Sequence, residues 1–166
     1  MKWILVWGMI ISGFMSNAQQ GQAPKQEPAY KRFPTIPALE LLRPDSTKFT
    51  KDDLKKQNTL IMYFSPDCDH CIHQTEDMIK RMDDLKKLQI LMITHQPMNL
   101  LVDFIKKYKL TDYSNIKIAQ DNKMVLPGFY RMKTLPYFAL YDKEGNLITT
   151  FESNQKVDTL LKAFQK

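Results

Sequence analysis

Two cysteines, Cys68 and Cys71, are separated by two residues and are the only cysteines in the chain. They follow an apolar run, residues 59–64, whose length and continuity are typical of a buried strand. Apolar residues then recur at spacings of three and four along residues 72–88, which predicts an amphipathic helix. We therefore expect Cys68 where a strand ends and a helix begins, beside free backbone N–H groups and the positive end of the helix dipole. This environment favours the thiolate, the form that attacks disulfides and binds soft metals.

Cys71 lies one helical turn after Cys68, close enough for the two sulfurs to form a disulfide. An inert structural disulfide would constrain the unfolded chain very little, because the loop it closes is so short. A structural zinc site usually needs four ligands and a second paired motif, which the three histidines do not fully supply. Redox chemistry is therefore the favoured use of the pair.

The first 18 residues have the pattern of a secretory signal peptide. Met1-Lys2 provides a positive start, residues 3–15 are apolar, and Ser16-Asn17-Ala18 supplies small residues for cleavage. The apolar segment is short for a bilayer span of roughly 20 residues, and an uncleaved anchor is the alternative, the one case in which we expect membrane contact. The sequence predicts an exported protein, periplasmic or otherwise extracytoplasmic, in a compartment where a cysteine pair can be oxidised.

Composition limits the other classes of function. The 166 residues suffice for one domain with a real core, and the net charge is +6. The lysines are interspersed with acidic residues, as on solvated helix faces, and no stripe of arginines and aromatic residues indicates nucleic-acid binding. We therefore interpret the charge as favouring solubility and predict no nucleic-acid partner.

The elements that would position the cysteines can be outlined along the chain. Residues 19–34 are rich in Gln, Pro and Lys and predict a flexible linker, which leaves residues 35–166 as the folded domain. A proline-containing turn joins two extended segments into an expected hairpin, and Thr50 with Asp53 should cap a short helical turn after it. The expected hairpin spans 36–42 and 47–50, further strands lie at 59–64, 89–94, 116–119, 135–141 and 147–151, and helices at 68–88, 97–108 and 154–164.

This order predicts an α/β fold, with a mixed central sheet flanked by helices and an N-terminal β-hairpin extension. Helical crossovers between strands imply parallel pairing. In such sheets, chemistry gathers beyond the carboxyl ends of the parallel strands. Cys68 lies at one such end and His95 at the next.

In this context the chain resembles the thioredoxin-like superfamily, and most closely its exported TlpA-like branch. The resemblance covers residues 35–166 and rests on the strand leading into Phe64-Ser65-Pro66-Asp67-Cys68-x-x-Cys71, the long helix, Thr134-Leu135-Pro136 entering a strand, and the final hairpin and helix. It implies a thiol–disulfide oxidoreductase without a cofactor, in which Cys68 attacks and Cys71 resolves. It also implies a cis peptide bond between Leu135 and Pro136, which would offer backbone to an extended substrate segment. Its partners would be protein thiols or disulfides and a redox partner protein.

Three positions depart from the family pattern. Met62 stands where thioredoxins carry a buried Asp, Gln74 where many TlpA-like reductases carry a Glu, and Asp67 where a bulky residue is common. Cys71 must lose its proton when it attacks a mixed disulfide, and the usual acceptors are therefore absent. Near Cys68, the resemblance of C-x-H-C to the DsbA motif implies that His70 supports the thiolate, while Asp67 and Asp69 oppose it. The sequence leaves open whether the protein is a reductase or an oxidant.

Two other functions are open alternatives. Cys68 and Cys71, with a neighbouring His such as His73, could form a Cu(I) or Zn site of a metallochaperone-like module, and the motif could instead be vestigial in a non-catalytic binding protein. The peroxiredoxins share the fold, but their motif would require Pro at position 61, where this chain has Ile61.

Overall fold

A computed structural model describes residues 27–165 of the chain. The predicted signal segment 1–18 and the first part of the predicted linker lie outside the described residues. None of the helices between residues 27 and 165 has both the length and the hydrophobicity needed to span a bilayer.

Within residues 27–165, seven strands form one mixed sheet in the order β2-β1-β5-β4-β3-β6-β7. The strands are β1 (Leu41–Leu42), β2 (Lys48–Phe49), β3 (Thr59–Tyr63), β4 (Gln89–Thr94), β5 (Ile116–Gln120), β6 (Tyr137–Tyr141) and β7 (Leu147–Glu152). Every residue of β3, β4 and β6 is buried, since these central strands are covered on both faces.

The centre of the sheet is parallel. β3 pairs in parallel with β4, and β4 with β5, whereas β6 runs antiparallel to β3. The carboxyl ends of β3, β4 and β5 therefore lie at the same end of the sheet, together with the start of β6. We call this the active-site end.

The described part of the chain also contains six α-helices: α1 (Ala29–Arg32), α2 (Asp69–Lys80), α3 (Met82–Leu85), α4 (Met98–Lys107), α5 (Val125–Tyr130) and α6 (Val157–Ala163). One core cluster joins β3 residues such as Met62 to α2, α3, α4 and α6. A second cluster, on the alternate β3 residues such as Tyr63, joins the hairpin β1–β2 and α5. Because successive strand residues point to opposite faces, helices cover both sides of the sheet.

The predicted α/β architecture with an N-terminal hairpin is confirmed. β1 and β2 pair antiparallel, although their ladder is only two residues long. At the cap predicted after the hairpin, the backbone N–H of Thr50 donates to the Asp53 carboxylate at 2.7 Å, and a 3₁₀ turn (Lys51–Asp53) follows. The strand predicted at 116–119 is the five-residue β5, which lies between β1 and β4.

One helical prediction differs from the structure. The helix predicted over 68–88 is broken at Arg81, whose φ of −113° and ψ of 25° leave the helical region. The Arg81 guanidinium instead pairs with Asp158 of α6 at 2.9 Å and with Asp84 at 2.5 Å. Apolar side chains face the core on both sides of the break, which is why the periodicity did not reveal it.

The structure also contains a short helix within the segment predicted as a linker. Its residues 29–32 form α1, and Tyr30 packs its ring 5.9 Å from that of Tyr130 in α5. Long-range contacts such as this one leave no periodic signal in the sequence.

Candidate active site

Cys68 occupies the position that its spacing predicts, at the start of a helix. It is the N-cap residue of α2, with an extended φ of −92° and ψ of 116°, and it is partly exposed. Its N–H donates to the Ser65 carbonyl at 3.2 Å, which closes the turn between β3 and α2. The sulfur therefore lies at the positive end of the α2 dipole.

Cys71 lies on the first turn of the same helix and is fully buried in the core cluster that contains Met62. The Ser65 backbone N–H points at its Sγ, at 3.5 Å. Burial raises the pKa of the Cys71 thiol to about 12, and the neighbouring Cys68 side chain adds to the rise. The two cysteines thus lie side by side as free thiols, one accessible and one enclosed.

Ser65 also connects the pair to Asp67. Its hydroxyl donates a hydrogen bond to the Asp67 carboxylate, which lowers the pKa of that carboxyl, and the charge of His95 lowers it further. The Asp67 charge in turn raises the pKa of Cys71. The carboxylate is exposed, and water therefore screens much of this effect.

The other residues predicted to tune Cys68 are both exposed. Asp69 is the first residue of α2, and His70 follows it. The His70 carbonyl accepts a 2.7 Å hydrogen bond from the Asn154 side chain, which ties the β7–α6 loop to the start of α2. His73 is exposed further along the helix. Within residues 27–165, no group of three or more His, Cys, Asp and Glu side chains is arranged to hold a metal ion.

The peptide bond between Leu135 and Pro136 is cis, as the resemblance implies. Pro136 is buried, and Leu135 is half-buried against both core clusters. Since Tyr137 of β6 pairs with Tyr63 of β3, this loop lies at the active-site end, one strand away from the turn that carries Cys68.

Neither family position for a proton acceptor can take up a proton here. The Met62 side chain is fully buried among apolar groups. Gln74 is also buried, and both ends of its amide are engaged by the backbone of Gln155, which donates to Oε1 at 2.7 Å and accepts from Nε2 at 3.1 Å. Gln74 therefore joins α2 to the segment before α6.

Three further polar side chains, those of Tyr63, His95 and Asp121, lie at the carboxyl ends of β3, β4 and β5. The His95 ring stacks on Tyr63 at 6.1 Å, and the buried His95 Nδ1 makes no hydrogen bond. Burial raises the pKa of Tyr63, and the charge of Asp121 raises it further. Asp121 is itself buried and accepts the N–H groups of Val125 at 3.1 Å and Leu126 at 2.9 Å.

The positions of Ser65 beside Cys71 and of Asp121 near Tyr63 were not predicted from the sequence. The position of Asp121 could have indicated a site residue, because it directly follows β5 and functional sites lie beyond the carboxyl ends of parallel strands. Ser65 acts on Cys71 through its backbone, which the type of side chain does not predict.

Comparison with solved structures shows a thioredoxin-like fold. StoA from Bacillus subtilis matches with a TM-score of 0.61 and 20% identity, over 78% of this chain and 98% of that one. A secreted Mycobacterium tuberculosis disulfide oxidoreductase, homologous to E. coli DsbE, matches with a TM-score of 0.64 and 16% identity, over 77% of this chain and 95% of that one. A peroxiredoxin-like protein from Aquifex aeolicus matches with a TM-score of 0.62 and 14% identity, over 79% and 84% of the two chains.

At these identities the similarity establishes the fold. The predicted thioredoxin-like fold is confirmed. A comparison with curated protein sequences gave no match. A family model, however, matches residues 34–160, which is most of the chain. On that match, the chain belongs to the AhpC/TSA family.

Proposed function

We propose that this protein is an exported thiol–disulfide oxidoreductase that exchanges disulfides with protein substrates through Cys68 and Cys71. The observation that carries the proposal is the contrast within the pair: an accessible sulfur begins α2, and a buried sulfur lies beside it on the same helix. The description of one structural neighbour as a secreted disulfide oxidoreductase supports the same activity.

The first step of the exchange uses the exposed cysteine. The Cys68 thiolate attacks one sulfur of a substrate disulfide, forms a mixed disulfide with it, and expels the other substrate sulfur as a thiolate. The free N–H groups at the start of α2 and the helix dipole stabilise the negative charge on Cys68 before the attack.

The second step uses the buried cysteine. Cys71 loses its proton, attacks the Cys68 sulfur, and expels the second substrate thiolate. Two electrons pass from the cysteine pair to the substrate, and the pair becomes a disulfide; the reverse sequence oxidises a substrate dithiol. Because the Cys71 pKa is raised by burial, this deprotonation is the step most dependent on pH.

The remaining roles follow from position. Leu135 and Pro136 offer the backbone of the cis loop to an extended substrate segment, one strand away from Cys68. His70, Asp67 and Asp69 set the charge around Cys68. The signal-like residues 1–18 support export, and the N-terminal boundary at about residue 35 remains part of this proposal.

A trapping experiment tests the mechanism. The Cys71→Ser variant should accumulate a mixed disulfide with its substrate in cells, because the second step is blocked, whereas Cys68→Ser should form none. The purified wild-type protein should also accelerate the reduction of insulin by dithiothreitol. If no adduct forms and insulin reduction is not accelerated, the proposed function is wrong.

A further inference from the structure

The proton that Cys71 must lose leaves a negative charge on a sulfur in the interior of the protein. Cys71 is fully buried in the core cluster that contains Met62. A buried charge is costly unless hydrogen-bond donors face it, and Met62 offers none. The amide of Gln74 is already engaged with the backbone of Gln155. The donors that do face the sulfur therefore determine how readily Cys71 becomes a nucleophile.

The backbone N–H of Ser65 faces this sulfur, with its nitrogen 3.5 Å from Cys71 Sγ. Ser65 is only 6% exposed, and within residues 27–165 its N–H has no other hydrogen-bond partner. Buried N–H groups are almost always paired, and this one is paired with the sulfur alone. Burial raises the pKa of the Cys71 thiol, and the hydrogen bond from Ser65 opposes that rise.

The other polar groups of Ser65 fix the turn that aims this N–H. The Ser65 carbonyl accepts the Cys68 N–H at 3.2 Å, which closes a turn over residues 65–68 with Pro66 at its second position, where proline is favoured. The Ser65 hydroxyl donates to the Asp67 carboxylate across the same turn. Each polar group of Ser65 is therefore bonded to Asp67, Cys68 or Cys71.

We propose that the hydrogen bond between the Ser65 hydroxyl and the Asp67 carboxylate, which we call the Ser65–Asp67 clasp, holds the Ser65 N–H against Cys71 Sγ and so stabilises the Cys71 thiolate that attacks Cys68. The proposal rests on the function proposed above and adds Ser65 and Asp67 to it as positioning residues. A hydrogen bond to a charged acceptor is stronger than one to a neutral acceptor, and the contact therefore tightens as the thiolate forms.

The clasp acts on the second step of the exchange. Cys71 releases its proton to solvent, and its sulfur forms a bond to Cys68 Sγ. The bond between Cys68 Sγ and the substrate sulfur breaks, and the substrate sulfur leaves with that electron pair as a thiolate. The attack of Cys68 in the first step does not require the clasp, because the N–H it aims faces Cys71.

Asp67 has a second effect on Cys71, of opposite sign. Its negative charge raises the pKa of Cys71, although the carboxylate is exposed and water screens the charge. Two variants separate the clasp from the charge. Asp67→Asn removes the charge and keeps an acceptor for the Ser65 hydroxyl, whereas Asp67→Ala removes both. A comparison of these two variants therefore measures the clasp at constant charge.

The reaction with dithiobis(nitrobenzoate), a small chromogenic disulfide, measures the two cysteines separately. Cys68 releases one thionitrobenzoate in a phase whose rate is proportional to the reagent concentration. Cys71 then attacks Cys68 and releases the other in a phase that is independent of the reagent concentration. The Cys71→Ser variant should show the first phase alone. A wild-type protein without a second phase would overturn the proposal.

Ser65→Ala should slow the second phase about three- to tenfold at pH 8 and leave the first phase unchanged, because it loosens one hydrogen bond to a charged group. Thr75→Val is the matched control. It removes another buried hydroxyl, which donates to the Cys71 carbonyl at 2.8 Å and not to the sulfur, and it should change neither phase. An unchanged second phase in Ser65→Ala, equal slowing of both phases, or the same slowing in Thr75→Val would overturn the proposal.

The Asp67 variants decide the question even if Ser65→Ala does not fold, because Asp67 is exposed. The second phase should be about three- to tenfold slower in Asp67→Ala than in Asp67→Asn, and equal rates would contradict the clasp. Ser65→Ala added to Asp67→Ala should slow it no further, since both substitutions remove the same hydrogen bond. A further slowing would show that Ser65 acts without Asp67.

The reagent needs no protein substrate, and this result is therefore independent of the proposed function. If the second phase responds as expected but the protein neither reduces insulin nor forms an adduct in cells, the oxidoreductase proposal fails and the clasp stands. If insulin is reduced and the second phase is the same in Asp67→Ala and Asp67→Asn, the clasp fails and the function stands.

Discussion

Only two residues separate Cys68 from Cys71, yet their surroundings are different. Cys68 has an extended backbone and a partly exposed side chain, whereas the side chain of Cys71 is buried in the first core cluster. The sequence could predict this difference in part, because the apolar face of the following helix includes the position of Cys71. It could not predict that the Ser65 N–H approaches the Cys71 sulfur, because that contact depends on the shape of the turn.

The first prediction concerns the reactivity of each sulfur. Burial is the largest cause of the raised pKa of Cys71 and persists when Cys68 is replaced, and Cys71 therefore carries little thiolate at pH 8. Cys71 in the Cys68→Ser variant should therefore react with iodoacetamide at least about 100-fold more slowly than Cys68 in the Cys71→Ser variant. The rate of Cys71 alkylation should rise about tenfold per pH unit from pH 8 to 10, because the thiolate fraction rises with pH below the pKa. Comparable rates in the two variants would contradict the enclosed position of Cys71.

The second prediction concerns the charge next to the sulfurs. Asp67→Asn keeps an oxygen for the Ser65 hydroxyl but removes a negative charge that disfavours thiolate. The reduction potential of the pair should become more positive by roughly 5–20 mV, because an exposed charge contributes only about 0.2–1 kcal/mol. Equilibration with glutathione measures this shift, which should shrink in high salt.

Asp77→Asn is the matched control for that measurement, since Asp77 lies near the other end of α2 and pairs with Lys80. It should leave the potential unchanged. A potential that becomes more negative in Asp67→Asn would show that the Asp67 carboxylate stabilises the reduced pair instead.

At the scale of elements, buried amide contacts fix α2 against the segment that leads into α6. Gln74 supplies both an acceptor and a donor to Gln155. Gln74→Glu keeps the acceptor but places a carboxylate opposite the Gln155 carbonyl, in a site that is 1% exposed. We expect the free energy of unfolding at pH 7 to fall by about 2–4 kcal/mol.

The pH dependence of that loss has a definite sign. Burial raises the pKa of the introduced carboxyl group above its unfolded value of about 4.3, and the folded state therefore keeps the proton longer than the unfolded state. The loss should be small below pH 4 and grow as the pH rises towards the folded pKa. Urea unfolding at pH 4 and pH 7 measures it, with the exposed Gln165→Glu as control. A loss that is equal at both pH values would argue against a buried, ionisable site.

Asp121 organises another element, α5. The residues of this helix include Pro127 and Gly128, and its sequence alone did not predict a helix. Asp121→Ala leaves two N–H groups at the start of α5 without their acceptor and should lower the free energy of unfolding by about 2–4 kcal/mol. Urea unfolding tests this, with the exposed Asp52→Ala as control. A loss below about 0.5 kcal/mol would mean that the two hydrogen bonds do not hold α5.

The elements that the sequence did predict share one property: their signal is local. β4 was predicted at its observed bounds, and β3 within one residue, because each is a buried apolar run. α1 and the break at Arg81 involve contacts with distant residues, such as Tyr30 with Tyr130. α5 instead depends on the hydrogen bonds that the Asp121 side chain accepts, which the residue types did not reveal. The same division holds at the site, where the cysteine spacing was visible in the sequence and the Gln74–Gln155 contact was not.

At the scale of the whole molecule, the parallel strands bring the candidate site residues together at the active-site end of the sheet. The turn after β3 carries Cys68, the turn after β4 carries His95, and the loop before β6 carries Pro136. A substrate bound at this end of the sheet can therefore contact both Cys68 and the cis loop.

The last prediction concerns the direction of electron transfer, which follows from the relative stability of the two redox forms. A strong oxidant such as DsbA depends on a stabilised reduced form. Here two exposed carboxylates, Asp67 and Asp69, lie beside Cys68, and the raised pKa of Cys71 disfavours its thiolate. We therefore expect the oxidised protein to be the more stable form, by about 1–2 kcal/mol when the short disulfide loop is included. Each 1.4 kcal/mol of that difference lowers the potential of the folded pair by about 30 mV relative to the unfolded pair, which favours a reductase.

Urea unfolding of the oxidised and dithiothreitol-reduced protein, followed by far-UV circular dichroism, measures which of the two forms is more stable. The Cys68→Ser variant should show no response to the reductant. A more stable reduced form would instead identify an oxidant.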